Sequence, residues 1–252
     1  MTQTLRLMAC ILFLAALCLA PRAAHAAEAE LLFEDQLEKT EGIAACPDGR
    51  FFVAENARGT VYEILSDTVL TPVAEGLNRP AGMACGPDNT LYVLLYGDGK
   101  AVSITFGEDG PQQQTVSDKL TTPNAAAVAS DGTIYISETD NGRVITLGPD
   151  GEPQELIGGI AYANGLALNE DETMLYVNAT TGGKVLVTPL AGEHKGKKKT
   201  VAKGIQMADG IVRAPDGTLY VPSYAKGEIH AIDPDGATTI IADGLTSPAS
   251  PA

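Results

Sequence analysis

Tryptophan is absent from the 252 residues, and histidine occurs only three times. No helix-period stretch of any length follows residue 26. With 27 glycines and 15 prolines, this excludes a helical bundle and points to short strands joined by many turns. Basic residues are scarce: 17 Lys and Arg against 32 Asp and Glu give a formal net charge of -15. Such a surface repels phosphate backbones, which argues against nucleic acid and anionic membrane as partners. Long apolar runs are missing apart from one, LMACILFLAALCLA at 7–20. It is short for a membrane span but matches the apolar core of a secretory signal. Arg6 precedes it and Ala24-His25-Ala26 offers a cleavage site. Residues 1–26 are therefore expected to be removed on export to the periplasm or beyond. Cleavage removes Arg6 and Arg22 and no acid, so the mature charge becomes about -17. No membrane contact is expected after cleavage, and a monomer is expected.

Cysteine is scarce as well. Only Cys46 and Cys85 of the four lie beyond residue 26, at nearly equivalent places in adjacent repeats. An oxidising compartment allows a disulfide between them, although two small buried thiols are the plainer reading of the sequence. The mature chain has only His194 and His230, one in the GEHKGKKK loop and one on a strand. A serine or cysteine nucleophile with a histidine partner therefore has no support. The lysine-rich run 195–199 reads as a solvated hairpin loop.

What the sequence does have is a repeat. EGIAACPDGRFFVAE starts at 41, AGMACGPDNTLYVLL at 81, NAAAVASDGTIYISE at 124, NGLALNEDETMLYVNA at 164 and DGIVRAPDGTLYVPS at 209, with spacings of 40, 43, 40 and 45 residues. That period is one four-stranded propeller blade. Each unit opens with a strand of small residues, turns at a PDG-like segment and continues as an alternating strand rich in tyrosine and β-branched residues. A third strand and a more polar fourth complete it. The fold class is all-β, with blades near 42–73, 82–117, 125–157, 165–202 and 210–242. LTSPASPA at 245–252 matches LNRPAGMA at 77–84 and reads as the opening of a sixth repeat, while ELLFEDQLE at 30–38 reads as a lone fourth strand. The expectation is a six-bladed β-propeller with five complete repeats, lacking most of the last blade. A five-bladed ring with two loose ends is the alternative.

One slot carries chemistry. The residue just before the first small residue of each inner strand is Glu41, Ala81, Asn124, Asn164 or Asp209 in turn. Repeat symmetry gathers these around one axis at one channel mouth. Two carboxylates and two amide oxygens suit a hard divalent cation, Ca²⁺ foremost, with Zn²⁺ or Mn²⁺ as alternatives. Asn or Asp before glycine is also an ordinary turn residue, so the weight lies on the recurrence.

The segments TEGIAACPDGRFFVAE, TTPNAAAVASDGTIYI, YANGLALNEDETMLYV and MADGIVRAPDGTLYV resemble the senescence marker protein (regucalcin)/gluconolactonase/luciferin-regenerating enzyme family of six-bladed propellers. Paraoxonases and strictosidine synthases are more distant relatives on the same plan. The resemblance implies that Glu41, Asn164 and Asp209 bind one divalent metal with Asn124 beside it, and that Asp209 is also the general base. It implies hydrolysis of a small-molecule lactone or ester by metal-activated water. Where sugar-lactone members have an Arg two residues before the second Asn, this sequence has Thr122, and where they commonly have Asp after that Asn it has Ala125. Sugar recognition is thus expected to be lost while the metal site is kept. A non-catalytic propeller that binds a ligand or protein is the competing function.

Overall fold

The structure is a computed structural model that describes Phe33, residues 36–148 and residues 150–252. The signal-like segment 1–26 and much of the 30–38 strand expected from the sequence lie outside the described residues. Five antiparallel four-stranded sheets follow one another along the chain. Blade one holds β1 (Thr40–Ala45), β2 (Phe51–Glu55), β3 (Thr60–Ser66) and β4 (Val69–Ala74). Blade two holds β5 (Pro80–Cys85), β6 (Leu91–Leu95), β7 (Lys100–Gly107) and β8 (Gly110–Ser117). Blade three holds β9 (Pro123–Val128), β10 (Ile134–Glu138), β11 (Arg143–Leu147) and β12 (Pro153–Ile157). Blade four holds β13 (Ala163–Leu168), β14 (Met174–Ala179), β15 (Lys184–Pro189) and β16 (Lys199–Lys203). Blade five holds β17 (Val212–Arg213), β18 (Leu219–Ser223), β19 (Glu228–Ile232) and β20 (Thr238–Ala242). The one helical piece among the described residues is the single 3-10 turn Thr180–Gly182.

The first strand of each blade packs beside the first strand of the next, β1 on β5, β5 on β9, β9 on β13 and β13 on β17, so these strands form the inner wall of the propeller. Apolar residues of facing sheets fill the space between blades. Phe52, Val61, Val93 and Ile104 sit between blades one and two, and Leu94, Ile136 and Ile145 between two and three. Val144, Leu166 and Val177 lie between three and four, and Val185, Leu219 and Ile232 between four and five. The period-2 alternation of the second strands produces this: successive side chains enter opposite walls, and burial of each aliphatic group contributes about 1.5–3 kcal/mol.

The turn between the first two strands is the same in every blade. Asp48, Asp88, Asp131, Asp171 and Asp216 each accept the N–H of the residue two positions on. Gly49, Asn89, Gly132, Glu172 and Gly217 then take the left-handed backbone that closes it. Cys46 and Cys85 stand in the equivalent place just before this turn, with Cα atoms 5.2 Å apart, and form a disulfide joining blades one and two. The lysine run lies in the hairpin between β15 and β16, where Lys198 Nζ donates to the carbonyls of Gly158 and Gly159.

Residues 245–249 carry the opening of a further repeat. Leu245 N–H donates to the Gly227 carbonyl as Leu77 N–H does to that of Gly59, and Gly210 N–H donates to the Ala249 carbonyl as Gly165 N–H does to that of Asp209. Ala249 thereby occupies a sixth slot, the counterpart of Ala81.

Candidate functional site

The slot exists because every inner strand bulges at the same place. In blade one Thr40 pairs with Glu55 and Ile43 with Val53, so Glu41 and Gly42 together oppose Ala54 alone. Ala81 and Gly82 oppose Leu94, Asn124 and Ala125 oppose Ser137, and Asn164 and Gly165 oppose Asn178. In blade five the bridge from Ala208 to Ser223 precedes the same displacement around Asp209. A bulge leaves one residue out of the ladder and turns it off the sheet. Repeated blade by blade, it brings Glu41, Asn124, Asn164 and Asp209 to one end of the inner wall.

Of these, Asn164 is buried and the other three are half-buried. The Asp209 carboxyl is pushed up to about 7, first by burial and then by the Glu41 carboxylate, while the Asn164 side chain within hydrogen-bonding reach pulls it back. Burial also raises Glu41, against the opposing pull of Lys39 and Arg79. The influence of Glu41 and Asn164 on Asp209 places the three in one electrostatic cluster. Asn124 holds the corresponding position in blade three. Among the described residues no three His, Cys, Asp or Glu side chains gather at a point that could hold a metal ion. Any cation here is therefore held by two carboxylates and by amide oxygens, the donor set of a hard oxygen-seeking ion. The residues fit such an ion physically, because the two carboxylates cannot both ionise comfortably without a counter-charge.

Asp209 is also held by its backbone. Its N–H donates to the Pro222 carbonyl at 3.2 Å, and its carbonyl accepts from Gly165 N–H at 3.0 Å and from Asn178 Nδ2 at 2.8 Å. Asn178 is a residue the sequence reading missed. Its counterpart in blade three, Ser137, accepts the Ala125 N–H at 2.9 Å, while the other blades have Ala54, Leu94 and Pro222 there. A polar residue at this otherwise apolar place was the available signal.

The residues read from the sequence as departures have local roles. Thr122 takes φ 45°, and its hydroxyl accepts the Asp140 N–H at 3.1 Å. His230 is buried on β19 with Nε2 3.0 Å from Glu228, in the sheet rather than at the slot. His194 is exposed and lies 3.1 Å from Lys197 Nζ. Clefts open at the same mouth between blades, one of about 540 Å³ walled by Tyr162, Gln206 and Met207.

A ring of four-stranded blades with inward bulges that carry carboxylates and amides defines a β-propeller with an oxygen-donor site at the channel mouth. The family model described as "SMP-30/Gluconolactonase/LRE-like region" matches residues 111–252, and the chain belongs to this family. Solved structures show the same fold. A gluconolactonase from Xanthomonas campestris superposes with a TM-score of 0.76 at 20% identity, over 87% of this chain and 80% of that one. A putative gluconolactonase gives 0.73 at 17% identity, over 87% and 83%. A chain of a nidogen/laminin complex gives 0.74 at 17% identity, over 85% and 84%. No curated protein sequence matches the chain.

Proposed function

We propose that this chain is an exported, divalent-metal-dependent hydrolase of small lactones or esters. The observation that carries the reading is the half-buried Asp209 carboxyl set beside Glu41 and Asn164 in equivalent bulges. Glu41, Asn164 and Asp209 would hold the ion, with Asn124 beside them. A divalent cation bound there supplies a positive charge that polarises the substrate carbonyl and stabilises the oxyanion. Asp209, at the edge of the ion, accepts the proton of the attacking water. Asn164 keeps that carboxylate oriented. The Cys46–Cys85 disulfide and the signal-like N-terminus both support export to an oxidising compartment. The fold shared with a gluconolactonase and with a protein described as a putative gluconolactonase supports a lactone substrate class.

The second reading is a non-catalytic propeller that binds a ligand or protein, and the equally good superposition on a chain of a nidogen/laminin complex favours it. The two separate in a panel of lactones and aryl esters assayed with Ca²⁺, Mn²⁺, Zn²⁺ or EDTA. The hydrolase reading expects Asp209→Asn to keep part of the metal affinity while turnover falls about 10²-fold or more. Asn164→Ala loses activity through lost metal, and excess metal partly restores it. Metal-dependent melting without turnover on any substrate rejects the hydrolase in favour of the binding module.

A further inference from the structure

Two residues before each slot, the backbone is left-handed in all six repeats: Lys39 (φ 53°), Arg79 (54°), Thr122 (45°), Tyr162 (61°), Met207 (50°) and Ser247 (49°). A side chain is disfavoured in this conformation and glycine is not. At one other recurrent left-handed position the chain uses only glycine, whereas the turn between the first two strands admits Asn89 and Glu172. Gly59, Gly99, Gly142, Gly183 and Gly227 occupy that glycine-only position, where a Cβ would come within 2.1–3.0 Å of the carbonyl oxygens of Leu77, Leu120, Ile160, Ile205 and Leu245 in turn. At the collar before the slots no glycine is used in any repeat. All six repeats therefore carry a side chain at the channel mouth.

Their identities divide the mouth into two sectors. Lys39 and Arg79, in blades one and two, are exposed and form no ion pair within 4.0 Å among the described residues. The Arg79 guanidinium lies over the Tyr96 ring, 4.6 Å from its centroid. The Tyr96 hydroxyl in turn approaches that of Tyr162. Beyond Tyr96, Tyr162 (42% exposed) and Met207 (47%) present apolar surface around the 540 Å³ cleft. In a chain of net charge -15, the two cations Lys39 and Arg79, which also act on the Glu41 carboxylate, attract anionic small molecules to the channel mouth.

We propose that this collar sets substrate specificity, with Arg79 and Lys39 gripping a carboxylate and Tyr162 and Met207 seating an aryl or alkyl arm, so that the preferred substrate is a carboxylate-bearing lactone or ester with an apolar part. The inference rests on the hydrolase reading for the word substrate, but binding alone tests the collar. The probes are 4-phenylbutyrate and its neutral analogue 4-phenylbutyramide, titrated calorimetrically into the full chain with Ca²⁺ present. The carboxylate is expected to bind about fivefold more tightly, the upper range for an exposed ion pair. Arg79→Gly removes the guanidinium and relieves the backbone, so it should raise the melting temperature while abolishing that preference. Arg79→Lys should keep part of the preference. Tyr162→Gly should weaken both probes alike. A preference that survives Arg79→Gly overturns the proposal, as does failure of either probe to bind. Charge preference that depends on Arg79 without turnover of any ester rejects the hydrolase reading and upholds the collar.

Discussion

Asn178 Nδ2 donates to the carbonyl oxygens of both Asp209, at 2.8 Å, and Gly210, at 2.9 Å, so a side chain under the bulge of blade four holds the bulge of blade five. The two acceptors dictate which end of the amide faces them, because the reverse orientation would set oxygen against oxygen. Oδ1 is left buried with no partner among the described residues. Asn178→Ala should cost about 1–3 kcal/mol through the two lost bonds, with the Asp209 carbonyl keeping only Gly165 N–H, and should loosen Asp209. Asn178→Asp should be worse, since it replaces the donor with an acceptor. As a positioning residue, Asn178 should affect Ca²⁺ affinity as well as stability. Calcium titrations of both variants decide it, and unchanged affinity in both would confine Asn178 to a structural role.

The disulfide gives a second prediction. Cys46 and Cys85 are separated by 39 positions and tie the first two blades together at the turn end of their inner strands. Closing a loop of that length in the unfolded chain stabilises the fold by about 2–4 kcal/mol. For a protein of this size each kcal/mol corresponds to about 2–4 °C in Tm. Reductant, or the Cys46→Ser/Cys85→Ser pair, should therefore lower the melting temperature by roughly 5–15 °C. Reductant should have no effect on the double variant. Intact mass before and after reduction checks the bond, and an unchanged mass would refute it.

Much of this was readable from local pattern. The turn aspartates, the small residues of the inner strands and the alternation of β2, β6, β10, β14 and β18 each repeat within one blade, so five copies reinforce one another. Gly165 shows why small residues were a sound signal: a Cβ there would lie 2.5 Å from the Asp209 carbonyl oxygen. The slot was legible because its polar residues recur in register. The collar was not, because Lys39, Arg79, Thr122, Tyr162, Met207 and Ser247 share no chemistry. Their common feature is a backbone angle imposed by the bulge that follows. Asn178 was hidden for a different reason, since its partners lie more than thirty residues away in the next blade. The disulfide stayed open because equivalent places in adjacent repeats do not give a Cα separation, which the packing of β1 on β5 supplies.

The last prediction concerns pH, and two sets of carboxyls act in opposite directions. In the metal-free protein Asp209 is raised from 3.8 to about 7, by burial first and the Glu41 carboxylate second, so the folded state holds a proton that the unfolded chain releases near 3.8. Its stabilising contribution is fully present below that lower value and disappears as pH rises through about 7. The turn aspartates go the other way. Hydrogen bonds from Arg50, Thr90, Thr133, Thr173 and Thr218 hold Asp48, Asp88, Asp131, Asp171 and Asp216 below the usual carboxylate range. Their contribution is present above that range and is lost as pH falls through it. In EDTA the protein should therefore be most stable in mildly acidic solution and lose stability towards pH 8. Asp209→Asn should flatten the loss on the alkaline side and leave the acid limb intact. Added Ca²⁺ binds the ionised carboxylates, so its stabilisation should grow from pH 4 to pH 8, roughly the interval over which Asp209 titrates. Melting temperatures of wild type and Asp209→Asn, in EDTA and in Ca²⁺ across that interval, measure all three effects. An alkaline loss that is equal in both proteins would show that Asp209 does not carry the buried charge at the mouth.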